Sequence, residues 1–74
     1  MSDHGLTVQQ IVARCGGAQA IAARSTIGKW AVYKWPKIGI PDEHWDLIME
    51  MAGVTVDDIY RANRTAKHRE QVAA

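Results

Sequence analysis

The segment Ala18-Gln19-Ala20-Ile21-Ala22-Ala23-Arg24-Ser25-Thr26-Ile27-Gly28-Lys29-Trp30-Ala31-Val32-Tyr33-Lys34-Trp35-Pro36 decides how this chain is read. Ala18 to Arg24 is alanine-rich and predicts a short helix, with Ile21 and Ala22 as its buried positions. Ser25-Thr26-Ile27-Gly28 consists of poor helix formers and reads as a turn. A further helix is predicted from Lys29 to Trp35, stopped by Pro36, which disfavours helical geometry at the residue before it. Two helices joined by so short a turn make a helix-turn-helix unit over about 18–35.

The second helix of the unit divides into two faces. Val32 and Trp35 continue an apolar side begun by Ile27, while Trp30, Tyr33, Lys34 and Lys37 fall at i, i+3, i+4 and i+7 on the other. Two bases mixed with two large aromatics is an unusual choice for a face that only meets water. On a helix in the DNA major groove, such side chains reach base edges and phosphates. Gly28, just before the helix, would let the backbone approach DNA closely. The plainer readings are that Trp30 packs on a neighbouring helix or a dimer partner, and that Lys37 is a solvated loop lysine.

Outward from this unit the punctuation continues to predict helices. Thr7 and Gln10 fit a capping box, followed by Val8, Ile11, Val12 and Cys15 on one helical stripe that Gly16-Gly17 ends. Lys37-Ile38-Gly39-Ile40 reads as a loop, and Pro41 suits the first turn of a fourth helix with Asp42 and Glu43 at its positive end. Trp45, Ile48, Met49 and Ala52 keep its period until Gly53, and Trp35 and Trp45 are assigned to the core. Thr55 and Asp58 resemble a second capping box, opening a fifth helix that carries Val56, Ile59 and Tyr60. Beyond Asn63 no apolar stripe remains. The expectation is one all-α domain of about five short helices over 6–63, and a basic extension over 64–74, helical or disordered.

Net charge is only +1, but its distribution is uneven. Arg14, Arg24, Lys29, Lys34 and Lys37 occur between positions 14 and 37 with no acid among them. Asp42, Glu43, Asp46, Glu50, Asp57 and Asp58 follow before Tyr60 with no Lys or Arg, and Arg61, Arg64, Lys67 and Arg69 then face Glu70 alone. One surface can therefore meet phosphates and another cannot.

Against this background the run from Ala20 to Trp35 resembles the helix-turn-helix of the Cro and λ-repressor family of phage and bacterial regulators. Gly39-Ile40-Pro41-Asp42-Glu43-His44-Trp45-Asp46-Leu47-Ile48 resembles the segment that follows it in small Cro-like members, and the likeness spans about Ile11 to Ile59. It places Ala22 where the two helices cross, and Ile27 and Val32 in the packing of turn and recognition helix. The family has leucine and glycine at the turn, where this chain has Ser25 and Thr26. Because β-branched Thr26 resists a left-handed conformation, the turn is expected to be distorted or helix two to end a residue early. The resemblance implies that Gln19 and nearby amides contact a phosphate, that Lys29 and Trp30 are the first base-reading side chains, and that Tyr33 and Lys34 follow one turn later.

Other function classes find little support. His4, His44 and His68 lie in separate segments, no Cys-x-x-Cys pair exists for zinc, and Cys15 reads as a small core residue. A single cysteine builds no disulfide framework within one chain and suits a reducing cytoplasm. No signal peptide is evident, and no apolar run approaches the roughly 18 residues of a membrane span. The expectation is a cytoplasmic, cofactor-free, non-enzymatic transcriptional regulator, a repressor, binding double-stranded DNA as a homodimer. Arg24, flanking the reading stripe, is expected with Lys37 to hold the backbone. The alternative is an interaction module that keeps the scaffold but binds protein, or an activator whose acidic face touches RNA polymerase.

Overall fold

The computed structural model describes residues 5–73, with side chains through 66. It contains α1 (Val8–Arg14), α2 (Ala18–Arg24), α3 (Lys29–Ile38), a 3-10 turn (Asp42–His44), α4 (Trp45–Ala52) and α5 (Val56–Ala73), and no strand among the described residues. This is the all-α single domain expected.

Local chemistry sets most boundaries. The Thr7 hydroxyl accepts from the Gln10 amide at 3.1 Å, and the Gln10 side chain accepts from the Thr7 amide at 3.0 Å. Thr55 and Asp58 repeat the arrangement at the start of α5, both bonds being 3.1 Å. Each box satisfies donors that the first helical turn leaves free. At the end of α4, Gly53 takes the left-handed conformation (φ 72°) that glycine adopts without steric cost.

The turn between α2 and α3 avoids the left-handed region altogether. Helix α2 ends at Arg24, and Ser25 leaves it extended (φ −134°). The Ser25 hydroxyl donates to the Ile21 carbonyl at 3.0 Å and accepts from the Ile27 amide at 3.4 Å. No residue other than glycine has a positive φ among those described, so Thr26 is spared the left-handed conformation. Helix α2 ends where the sequence places its end and not a residue earlier, and it is the turn that departs, leaving the helix through an extended Ser25.

Helix α3 departs from the sequence reading. It continues through Pro36 to Ile38, so Lys37 and Ile38 belong to its last turn and not to a loop. Proline removes one helical donor. Packing compensates: Val32 and Trp35 are each 1% exposed, and α3 lies between α2 and α5, its most extensive partners. The helix ends at Gly39 (φ 92°), whose amide donates to the Trp35 carbonyl at 2.7 Å. Pro41 and the acids after it form a 3-10 turn ahead of α4 instead of its first α-helical turn.

The core gathers Val8, Ile11, Ile21, Val32, Trp35, Ile40, Ile48 and Ile59 from every helix. In α2, Ile21 is buried as expected, but Ala22 is only partly so, and Ala18 one turn earlier takes the second inner position. Trp45 is partly buried and packs on the core. Helix α5 corrects the sequence more strongly. Val56 and Tyr60 are exposed, and the inner face is Ile59, Ala62, Asn63 and Ala66, at i, i+3, i+4 and i+7. The extension over 64–73 continues this helix without a break.

Asn63 is the one buried polar side chain among the described residues. Its Oδ1 accepts from the Ile40 amide at 2.7 Å, and its Nδ2 donates to the Ile40 carbonyl at 3.0 Å. Trp45 Nε1–H donates to that same carbonyl at 2.8 Å. A Cβ on Gly39 would lie 3.1 Å from the Asn63 amide carbon and oxygen, so a side chain here would crowd the Asn63 amide in addition to straining the backbone at φ 92°. Asn63→Ala leaves the Ile40 amide without its partner and should lower the unfolding free energy by about 1–3 kcal/mol. Urea denaturation reads this directly; an unchanged midpoint would show that water replaces the clasp at no cost.

Candidate nucleic-acid interface

The exposed face of α3 is built on the anchoring of its inner one. With Val32 and Trp35 locked inward, helical geometry turns Trp30, Tyr33, Lys34 and Lys37 out to solvent. Trp30 is 71% exposed and Tyr33 53%, so Trp30 does not pack on a neighbouring helix of its own chain. Their rings meet edge to face at 5.4 Å between centroids. Lys29, half-buried at the start of α3, holds its Nζ 5.9 Å from the Trp30 ring centroid. The result is a pre-ordered stripe of two aromatics and three ammonium groups with no carboxylate on α3. Cation–π contact and edge-to-face packing hold these side chains against one another.

Continuation through Pro36 gives α3 ten residues, about 15 Å at helical rise. It also brings Lys37 onto the helix, completing the stripe with a residue the sequence had placed in a loop. Ala31 and Ile38 are further exposed members of α3 that the charge and aromatic pattern did not single out. Projecting the helical period past Pro36 would have found Ile38.

The remaining predicted contacts are distributed around this helix. Gln19, in the first turn of α2, is exposed, and Gly17 at the start of that helix makes no side-chain cap. Gly28 likewise leaves the start of α3 without a side-chain cap. It has an ordinary φ of −84°, and nothing lies within 4 Å of a Cβ built there, so the fold itself does not demand glycine. Arg24 is exposed and faces Glu50 of α4 at 3.9 Å. The basic and acidic halves of the chain therefore touch at this exposed pair, whose contribution to stability is small.

Among the described residues, no group of three or more His, Cys, Asp or Glu could hold a metal ion. His44 packs its ring 5.6 Å from Trp35, and His4 and the side chain of His68 lie outside the described residues. Burial raises the pKa of the Cys15 thiol, opposite to the shift a thiolate nucleophile needs. No helix among the described residues is long and apolar enough to cross a membrane. In comparisons with known proteins, no family model, curated protein or solved structure matches this chain.

Proposed function

We propose that this chain is a sequence-specific double-stranded DNA-binding protein that represses transcription by occupying its site, with α3 as the reading helix. The observation that carries the proposal is the α3 stripe. Trp30, Tyr33, Lys34 and Lys37 stand outward opposite a fully buried Val32 and Trp35. Lysines can donate to guanine acceptors, the tyrosine hydroxyl can serve base or phosphate, and Trp30 offers apolar surface to a thymine methyl. Gln19, Arg24 and Lys37 hold the phosphate backbone, and Gly28 admits it closely. The protein acts in the reducing cytoplasm, without cofactor or catalysis.

Selection of fragments from random duplexes by the purified chain, followed by affinity measured across salt concentration, tests this. Binding should fall steeply as salt rises, and Arg24→Ala or Lys37→Ala should each lower the logarithmic salt slope by roughly one unit on cognate and unrelated DNA alike. The 71% exposure of Trp30 also favours a second reading, in which the stripe is an apolar contact for another protein. An enriched ligand whose affinity ignores salt would support that reading and remove the first.

A further inference from the structure

Three exposed apolar side chains lie apart from the reading stripe. Ile38 ends α3, and Val56 and Tyr60 stand one turn apart on α5; Ile38 and Tyr60 are each 54% exposed. Ile38, Pro41, Trp45 and Tyr60 line an open groove of about 420 Å³. The loop wall of this groove carries Asp42, and the α5 wall carries Arg64, whose guanidinium carbon lies 6.0 Å from the Tyr60 ring centroid. Apolar side chains clustered in this way on so small a protein mark a contact surface.

The charges indicate what covers it. In a twofold interface each patch meets its own copy. A patch of one sign repels itself, but an acid and a base on opposite walls of an apolar groove pair twice when one copy is rotated onto the other. We propose that this face is the dimer interface: a second copy of this chain docks on Ile38, Val56 and Tyr60, and Asp42 of each copy pairs with Arg64 of the other. The inference rests on the DNA-binding reading for its purpose, since one helix reads too few bases for a useful search. Docking through this face joins two reading helices in one dimer, so that two half-sites can be read together.

Sedimentation equilibrium of the full chain, without DNA, tests the surface. The wild type should associate to a dimer, and Ile38→Asp and Tyr60→Asp should each raise the dissociation constant about tenfold or more. Both side chains are half exposed, so helicity should be unchanged. Asp42→Lys and Arg64→Glu should each weaken self-association, and an equimolar mixture of these two variants should restore it, because every facing pair then has opposite charge. A wild type that stays monomeric at millimolar concentration overturns the interface, as do aspartate variants that dimerise normally. Failure of the mixture to recover overturns the twofold pairing. A wild type that dimerises through this face yet binds no selected duplex supports the interface and overturns the DNA reading. Variants that keep single half-site affinity but lose cooperativity on two half-sites support both.

Discussion

Trp35→Ala is expected to leave the chain largely unfolded at room temperature. Trp35 is among the largest fully buried side chains of the domain, at 1% exposure, and it sits on α3 between α2 and α5. Truncating a buried tryptophan costs about 3–5 kcal/mol through lost transfer energy and the cavity left behind. A single core in a chain this short supplies only about 3–5 kcal/mol in total. The loss therefore matches what is available, and far-ultraviolet circular dichroism should show the helical signal collapse. Trp35→Phe keeps most of the apolar volume and should retain a cooperative, lower melt. If Trp35→Ala melts cooperatively within a few degrees of wild type, Trp35 does not organise the core, and the outward aim of the α3 stripe needs another cause.

The second large effect concerns recognition. Lys29→Ala and Tyr33→Ala should each relax preference at particular base pairs, at a cost of about 1–3 kcal/mol in the complex with the selected duplex. Tyr33 is exposed and Lys29 half-buried over Trp30, so both variants should fold, and thermal melts confirm that before binding is read. Glu50→Ala and Asp57→Ala are the informative controls. Glu50 faces Arg24 at 3.9 Å, and Asp57 pairs with Arg61 at 3.1 Å. Removing either acid frees a cation, so affinity should stay level or rise slightly. Normal binding by folded Lys29→Ala and Tyr33→Ala would mean that α3 is not the reader, and its aromatics would then be better explained as a protein contact.

What the sequence made legible was local. Capping pairs three residues apart, glycine at helix ends and a 3.6-residue apolar period all act within one element, and they located five helices and the inward side of α3. What it hid depended on partners far along the chain. Pro36 reads as a stop until α2 and α5 hold Val32 and Trp35 and carry the helix past it. The fifth helix was read by Val56, Ile59 and Tyr60, yet of these only Ile59 lies inside, beside Ala62, Asn63 and Ala66. Small residues there allow α5 to lie close to α3, and an asparagine is welcome only because Ile40, 23 residues earlier, presents an amide and a carbonyl to it. The site followed the same division. Helical spacing put Trp30, Tyr33, Lys34 and Lys37 on one face, whereas the helical conformation of Lys37 itself depended on the passage of α3 through Pro36.

The Asn63 clasp also has an entropic side. Confining a free backbone residue costs roughly 1–2 kcal/mol, and the segment leaving α3 is already confined by bonds to both polar groups of Ile40. Ligand binding at α3 then has little chain left to order at that end. The heat-capacity change of association, measured by titration calorimetry at several temperatures, should accordingly scale with the surface that α3 covers and carry no added contribution from coupled folding. In Asn63→Ala, where this segment is released, the same titration should show a more negative heat-capacity change and a larger entropic penalty for an unchanged set of contacts.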